Sequence, residues 1–358
     1  MKTNKKSILM IDDVALNLAS ARDVLKDKYV LYEAMSAEEG FRILNQVIPD
    51  LILLDIVMPG MDGYEMLIEL KKIRRYRRIP VIFLTAYDSS ESEVKGLELG
   101  AVDFITKPFV PTVMKRRIET QIELSEYQHS LEALVDQKVE ELEKMQNALS
   151  TGFAELVESR DGITGGHVKN TGIYYDAFIN LLKDEPEYRN EITKDFIKMS
   201  IRSAPLHDIG KIGIDDAVLR KKGSLDGGER EYMEKHAIMG GNTFRKILDK
   251  FPESEFLAIA EEMALFHHER WDGKGYPSGK AGTEIPLCAR IMSIVDVYDA
   301  LTSERPYKKP FSHEKSMAII VEGRGTQFDP VLVDKFVKFS DQMKQCLIRK
   351  RMASNSSN

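Results

Sequence analysis

"DLILLDIVMPGMDG", residues 50–63, begins with an apolar run too short for an ordinary helix, ends that run on Asp55 and passes into a turn punctuated by Pro59 and Gly60. An uninterrupted run of this length suits a strand buried on both faces. SILMI, YVLYEA, PVIFLTA and DFITKPF repeat the pattern, with helical periodicity beginning near Leu16, Glu38, Tyr64 and Glu91 and a last helix after DFITKPF. Strand and helix in alternation predict an α/β domain, a five-stranded parallel sheet with functional groups gathered at the carboxyl ends of its strands. That edge collects Asp12 and Asp13 after the first strand, Asp55 after the third, Thr85 after the fourth and Lys107 after the fifth. Three converging carboxylates repel unless a divalent cation lies among them, and oxygen-only ligation suits Mg2+. Such a cluster can accept a phosphoryl group on one carboxylate while lysine and metal neutralise the charge.

Over residues 1–120 the chain resembles the receiver domain of two-component response regulators, carried by DIVMPGMDG, LTA and GAVDFITKPF. The resemblance implies a flavodoxin-like fold and a cognate histidine kinase. It also implies that Asp55 is phosphorylated, that Asp12 and Asp13 help bind Mg2+, that Thr85 and Lys107 contact the phosphoryl group, and that Phe104 is an aromatic switch. The basic run KKIRRYRR, residues 71–78, is expected to be the solvated end of a helix, where cations complement the dipole, rather than a nucleic-acid patch.

Residues 113–157 contain no proline, and Gly152 is their one glycine. Leu124, Leu131, Val135, Leu142, Met145, Leu149 and Leu156 follow a seven-residue repeat interrupted by Gln128 and Lys138. A helical linker forming a dimeric coiled coil is expected, able to pass on a change by rotation or register shift; the plainer alternative is one long helix packed on its own domains.

Residues 151–345 read as helical and hold six of the seven histidines. GITGGH ends on His167, APLHDIGKIG carries His207 and Asp208, EKHAIMGG carries His236, LFHHERWDGKGYP carries His267 and His268, and SIVDVYDAL carries Asp296. Buried singly, such groups are unfavourable, so their recurrence on separate helices beside apolar residues points to shared partners. Imidazoles with a common carboxylate and no thiolate suit Fe or Mn, with Zn or Ni less favoured. Two ions about 3.5–4 Å apart suit water activation for in-line attack on phosphorus. His129, in the linker, is expected to be a solvated helix residue, and His313, in the loop FSHEKS, has no assigned role.

The motifs HDIGK, HHERWDGKGYP, IPLCARI, DVYDALTSERPYKKP and GTQFDP resemble the HD-GYP metal-dependent phosphohydrolases. That resemblance implies an all-α domain in which one metal takes His167, His207, Asp208 and Asp296. The other takes His236, His267, His268 and the bridging Asp208. Lys211 stands beside the attacking oxygen and scissile phosphate, Arg305 and Lys308 grip the second phosphate, and Tyr276 shapes the pocket beside a guanine. The implied substrate is cyclic di-GMP, opened to linear pGpG. Some members place a glutamate four residues before the first histidine to support a third metal; Ile163 stands there, so two metals and pGpG are expected. Asp215 and Lys222 replace common prolines, and Gln327 a frequent histidine. The alternatives are a non-catalytic adaptor that binds cyclic di-GMP or a protein partner, and hydrolysis of another cyclic dinucleotide such as cyclic GMP-AMP.

The composition agrees with a soluble cytoplasmic protein. A formal charge of -6 gives no global field favouring nucleic acid or anionic membrane. Cys288 and Cys346 lack metal-site or disulfide spacing, and no apolar stretch approaches the roughly 18 residues of a membrane span. Residues 350–358 are expected to form a disordered tail.

Overall fold

A computed structural model describes residues 5–86, 90–161, 166–304 and 309–355. The chain divides into two compact units, Met1–Glu140 and Glu141–Asn358.

In the first unit, β1 (Ser7–Ile11), β2 (Val30–Ala34), β3 (Leu51–Asp55), β4 (Val81–Thr85) and β5 (Asp103–Thr106) form one parallel sheet in the order β2-β1-β3-β4-β5. The helices are α1 (Ala15–Leu25), α2 (Ala37–Leu44), α3 (Gly63–Lys72), α4 (Ser90–Glu98) and the start of α5 (Pro111–Arg160). Alternate strand residues divide between two cores, as the two-residue period of a strand requires. Ile8, Met10, Leu53 and Ile82 pack with Leu18 and Leu25 of α1 and Met114 and Ile118 of α5. Leu9, Ile11, Leu54 and Phe83 pack with Leu44 of α2 and Met66 and Leu70 of α3. Both faces are thus covered, which explains why the central strands read as unbroken apolar runs.

The basic run meets expectation in part: Lys71 and Lys72 lie in the last turn of α3 and the four arginines of the run are exposed. α3 stops at Lys72 because Ile73 adopts an extended backbone (φ -88°, ψ 114°), so residues 73–78 lie beyond the helix. Tyr76 is buried, and its hydroxyl donates to Asn45 Oδ1 at 3.0 Å.

The second unit forms no strand among its described residues. After the remainder of α5 come α6 (His167–Leu182), α7 (Lys194–Ser203), the short 3-10 helices Ala204–Leu206 and Ile209–Gly213, α8 (Asp216–Leu219), α9 (Gly227–Leu248) and α10 (Glu255–Phe266). A 3-10 turn at Gly282–Glu284 precedes α11 (Leu287–Thr302), α12 (His313–Glu322), α13 (Pro330–Lys338) and α14 (Ser340–Asn355). The main core joins Tyr174, Phe178 and Leu182 of α6, Ile291, Val295 and Tyr298 of α11, Phe336 of α13 and Met343 of α14. α14 continues to Asn355, so residues 350–355 are helical where a disordered tail was expected; no proline or glycine interrupts the segment.

The heptad residues Leu124, Leu131, Val135, Leu142, Met145, Leu149 and Leu156 all lie on α5 and are 48–66% exposed. Gly152 falls on the same stripe, between Leu149 and Leu156. Among the described residues no helix is long and apolar enough to cross a membrane.

Candidate metal centre and phosphoacceptor site

At the carboxyl edge of the sheet, Asp12, Asp13 and Asp55 each present an oxygen within 4.8 Å of the others. Asp12 and Asp55 are buried, and Lys107 Nζ lies 2.6 Å from Asp12 Oδ2 and 2.8 Å from Asp55 Oδ2. Burial pushes the Asp55 carboxyl above its ordinary value, and the nearby Lys107 ammonium only partly opposes this. Thr85 ends β4 beside this cluster, and its carbonyl accepts the Lys107 N–H at 2.7 Å. Phe104 is buried and stacks on Phe83 at 5.9 Å between ring centroids.

Two partners of this cluster are not among the residues singled out from the sequence. Asn17 Nδ2 donates to both Asp12 oxygens, at 2.9 and 3.1 Å, and orients that carboxylate. At Gly63 a Cβ would lie 2.2 Å from the Asp55 carbonyl, so the glycine lets α3 start against the end of β3. The motif MDG offered a signal here: Asp62 caps α3 in a capping box with Glu65, and the glycine follows it.

The second unit brings five separate elements to one point. His167 is the first residue of α6, His207 and Asp208 sit between the two 3-10 helices, His236 is within α9, His267 and His268 follow α10, and Asp296 is on α11. Asp208 divides its two oxygens. Its Oδ1 lies 3.4 Å from His236 Nε2 and 3.8 Å from His267 Nε2. Its Oδ2 lies 3.4 Å from His207 Nε2, 3.9 Å from His167 Nε2 and 2.9 Å from Lys211 Nζ. Two potential metal-holding groups result, Asp208 with His236, His267 and His268, and Asp208 with His167 and His207. Asp296 Oδ1 stands 3.4 Å from His167 Nε2, on the side of the second group.

The fit to metal is testable on the buried nitrogens. Nδ1 of His207 bonds the Ala204 carbonyl at 2.8 Å, Nδ1 of His236 the Met233 carbonyl at 2.8 Å, and Nδ1 of His267 the carbonyls of Met263 and Ala264 at 3.0 and 3.1 Å. A carbonyl only accepts, so each Nδ1 carries the proton and each Nε2 presents a lone pair. Those three Nε2 atoms are buried without a hydrogen-bond partner. Orphaned buried acceptors are unfavourable, and a cation in each of the two groups would satisfy all three.

The electrostatics run the same way. Burial pushes His268 down to about 4 and drives His267 well below its ordinary value. Burial alone would raise the Asp208 carboxyl, but Lys211 and His207 outweigh it and hold the group well below the usual carboxylate range. Neutral His267 and His268 beside the ionised Asp208 form a donor set ready for a cation.

Several supports are absent from the motif-level pattern. Asp299 Oδ2 accepts from His167 Nδ1 at 2.8 Å, and Ser303 Oγ donates to Asp299 Oδ1 at 2.7 Å. Its i+3 spacing from Asp296 on α11 was the available signal, since such residues share a helix face. At Gly210 a Cβ would lie 1.9 Å from the His236 carbonyl, so the HDIG glycine allows the 3-10 segment to touch α9. At Gly240 and Gly241 a Cβ would lie 3.2 Å from Ala264 Cβ and 3.0 Å from Leu265 Cβ, a milder crowding that lets α10 approach α9.

Glu269 is buried and accepts from the Ser278 N–H at 2.7 Å, tying the loop 269–279 across its base. That loop sets Tyr276 against His268, with ring centroids 4.8 Å apart, and Gly275 leaves no room for a Cβ beside Glu269 and Arg270. Gln327 meets the same loop through its backbone, where its carbonyl accepts the Trp271 N–H at 3.2 Å. Asp215 caps α8 by accepting from Ala217 N at 2.8 Å. Arg305, Lys308 and Ile163 lie outside the described residues.

His313 is the first residue of α12 rather than part of a loop. Its Nδ1 meets Tyr298 Oη and its Nε2 meets Ser340 Oγ, each at 2.8 Å, which makes it a satisfied core histidine. His129 is exposed on α5.

The family model of the response regulator receiver domain matches residues 8–119, and that of the HD domain matches residues 193–332. A probable cyclic di-GMP phosphodiesterase of Vibrio cholerae is 40% identical over 92% of this chain and 77% of its own length. The cyclic di-GMP phosphodiesterase response regulator RpfG of Xanthomonas campestris is 31% identical over 95% of this chain and 89% of its own. A cyclic di-GMP phosphodiesterase of Thermotoga maritima is 31% identical over 98% and 95%. This chain belongs to the response regulators with an HD-GYP phosphodiesterase domain. As an HD-GYP response regulator it is a metal-dependent phosphodiester hydrolase, and the divided carboxylate of Asp208 lies at the centre of its potential metal-binding groups.

Proposed function

We propose that this HD-GYP response regulator hydrolyses cyclic di-GMP to linear pGpG under the control of phosphorylation at Asp55. The observation that carries the reading is Asp208, with one oxygen toward each histidine group and three orphaned Nε2 atoms around it. His167, His207, Asp208 and Asp296 would hold one ion, and His236, His267, His268 and Asp208 the other. Fe or Mn is favoured by the imidazole and carboxylate donors, with Zn or Ni as poorer fits. Bound there, the pair supplies Lewis-acid chemistry at a phosphodiester.

The chain's own residues then have defined tasks. Lys211, held at 2.9 Å from Asp208, offers its ammonium to the scissile phosphate. Tyr276 beside His268 bounds the pocket next to a guanine, and Arg305 and Lys308 grip the second phosphate. Ile163 offers no third-metal ligand, which favours pGpG as product. The relatives that match along nearly the whole chain are named for cyclic di-GMP, so cyclic GMP-AMP is the less favoured substrate.

In the receiver, Asp12, Asp13 and Asp55 would hold Mg2+ while a histidine kinase supplies the phosphoryl group, with Thr85 and Lys107 contacting it and Phe104 responding. The exposed apolar stripe on α5 supports a homodimer through a coiled coil. Both cysteines are free thiols, in keeping with a cytoplasmic protein.

Protein purified without oxygen and loaded with Fe or Mn is expected to convert cyclic di-GMP to pGpG. Absence of turnover with every metal tried would defeat the enzymatic reading.

A further inference from the structure

We infer that the last turn of α5 positions one half of the metal site and not the other, with Glu158 as its principal contact. This inference rests on the two-metal reading above.

α6 starts on His167 yet has no cap of its own: Gly166 at its N-cap has no side chain to offer, and its first turn contains no acidic residue. The free N–H groups of a helix start need acceptors, and the positive end of the helix dipole favours an anion. Glu158, buried near the end of α5, fills both needs. Its Oε1 accepts from Gly166 N at 3.2 Å and from His167 N at 2.8 Å, and its Oε2 accepts from Val168 N at 3.3 Å. The backbone that carries His167 is therefore held from α5.

Arg160, the last residue of α5, and Asp161 just after it grip the neighbouring segment. Arg160 Nη1 donates to the Ile212 carbonyl at 2.6 Å, and its Nη2 donates to the Ile214 carbonyl at 3.2 Å and Asp216 Oδ1 at 2.7 Å. Asp161 Oδ2 pairs with Lys211 Nζ at 2.9 Å, and the same ammonium lies 2.9 Å from Asp208 Oδ2. Glu158 and Asp161 reach the side of the site built by His167, Lys211 and Asp208 Oδ2, while Arg160 holds the segment that follows Lys211.

His207 bonds its own segment through Nδ1 just as the opposite group does, so what sets the His167 side apart is the bonds from α5 to the start of α6 and the pairing of Asp161 with Lys211. His236 and His267 bond their own helices through Nδ1, to Met233 and to Met263 and Ala264. Ala154 of α5 does join Phe244 of α9, Ala260 and Ala264 of α10 and Leu206 in a small apolar cluster, but such packing lacks the direction of the hydrogen bonds that Glu158 makes. Since α5 is also the covalent link to the receiver, a change in that helix would reach the His167 ion and Lys211 first.

The test is metal binding by full-length protein, titrated anaerobically with Mn or Fe and read by metal content, with circular dichroism as the folding control. The wild type is expected to hold about two ions per chain. Glu158→Ala is expected to keep about one of them and to weaken the other roughly 10- to 100-fold, the usual effect of removing a group that orients a ligand. Glu158→Gln, whose amide oxygen still accepts an N–H, is expected to restore most of the loss. A folded Glu158→Ala that holds both ions at wild-type affinity, or loses both equally, overturns the inference. Should that variant not fold, Glu158→Asp, with a shorter arm, is expected to weaken the same single ion, and uniform weakening overturns it too. A wild type with fewer than two ions refutes the two-metal reading and this inference with it, so the two failures are distinguishable.

Discussion

Gly210→Ala adds one carbon at the contact between the HDIG segment and α9. That carbon would lie 1.9 Å from the His236 carbonyl oxygen and 2.5 Å from Gly240 N, both backbone atoms that cannot rotate away. Gly210 does not have a positive φ, so alanine brings no conformational strain and the effect is steric alone. Ordinary contact begins at 3.4 Å, so one backbone must retreat from 1.9 to 3.4 Å, about 1.5 Å in a close-packed interior. Asp208 Oδ1 and His236 Nε2 are now 3.4 Å apart, and a retreat of that size along their axis would carry them out of joint reach of one ion.

Overpacking of this kind costs about 1–3 kcal/mol, and for a domain of this size each kcal/mol lowers Tm by about 2–4 °C. Misplacement of catalytic groups by about 1 Å lowers turnover on the order of 100-fold. The prediction is a folded variant with a Tm lower by several degrees, weakened binding at the His236 group and turnover on the order of 100-fold lower. Differential scanning calorimetry, metal titration and a pGpG assay measure the three quantities. Wild-type metal affinity and turnover in Gly210→Ala would refute the claim that close backbone contact sets the bridge.

Asp55→Asn should take up no phosphoryl group from a small-molecule donor, as read by intact mass, while metal content of the second unit stays unchanged; phosphorylation elsewhere on the variant would contradict the assignment. In chelated protein, burial disfavours the charged form of His167, but Asp299, then Asp296 and Asp208, raise it to about 9 from an ordinary 6.5. Because the folded value is the higher, this pairing stabilises fully below about pH 6.5 and fades as pH rises through about 9. The Tm gap between chelated wild type and Asp299→Asn should therefore narrow over that window, and a constant gap would count against the pairing. Leu131→Glu combined with Leu142→Glu should halve the mass in light scattering, whereas a monomeric wild type would remove the proposed coiled coil.

Much of the first unit was legible because a strand covered on both faces must be apolar throughout, so SILMI, DLILLDIV and PVIFLTA declare themselves. Their polar endings, Asp12, Asp55 and Thr85, fall at one edge because parallel strands share a direction. KKIRRYRR was legible only in part: Lys71 and Lys72 close α3 and the arginines are exposed, but the helix stops before them. Charge is read easily along a sequence, but the buried Tyr76 and its bond to Asn45 depend on a helix elsewhere in the chain.

In the second unit the sequence by itself determined the ligand types: imidazoles and carboxylates in HDIGK, HHERWDGKGYP and DVYDAL carry their chemistry wherever the fold places them. Only the tertiary structure decided how Asp208 is shared between two groups, that Asp299 rather than solvent holds His167, and that Glu158 caps the helix beginning at His167. The physical reason is that a side chain's donors and acceptors are local properties, whereas their satisfaction is a relation between distant segments. Asp299 and His167 are 132 residues apart in the chain and 2.8 Å apart in space.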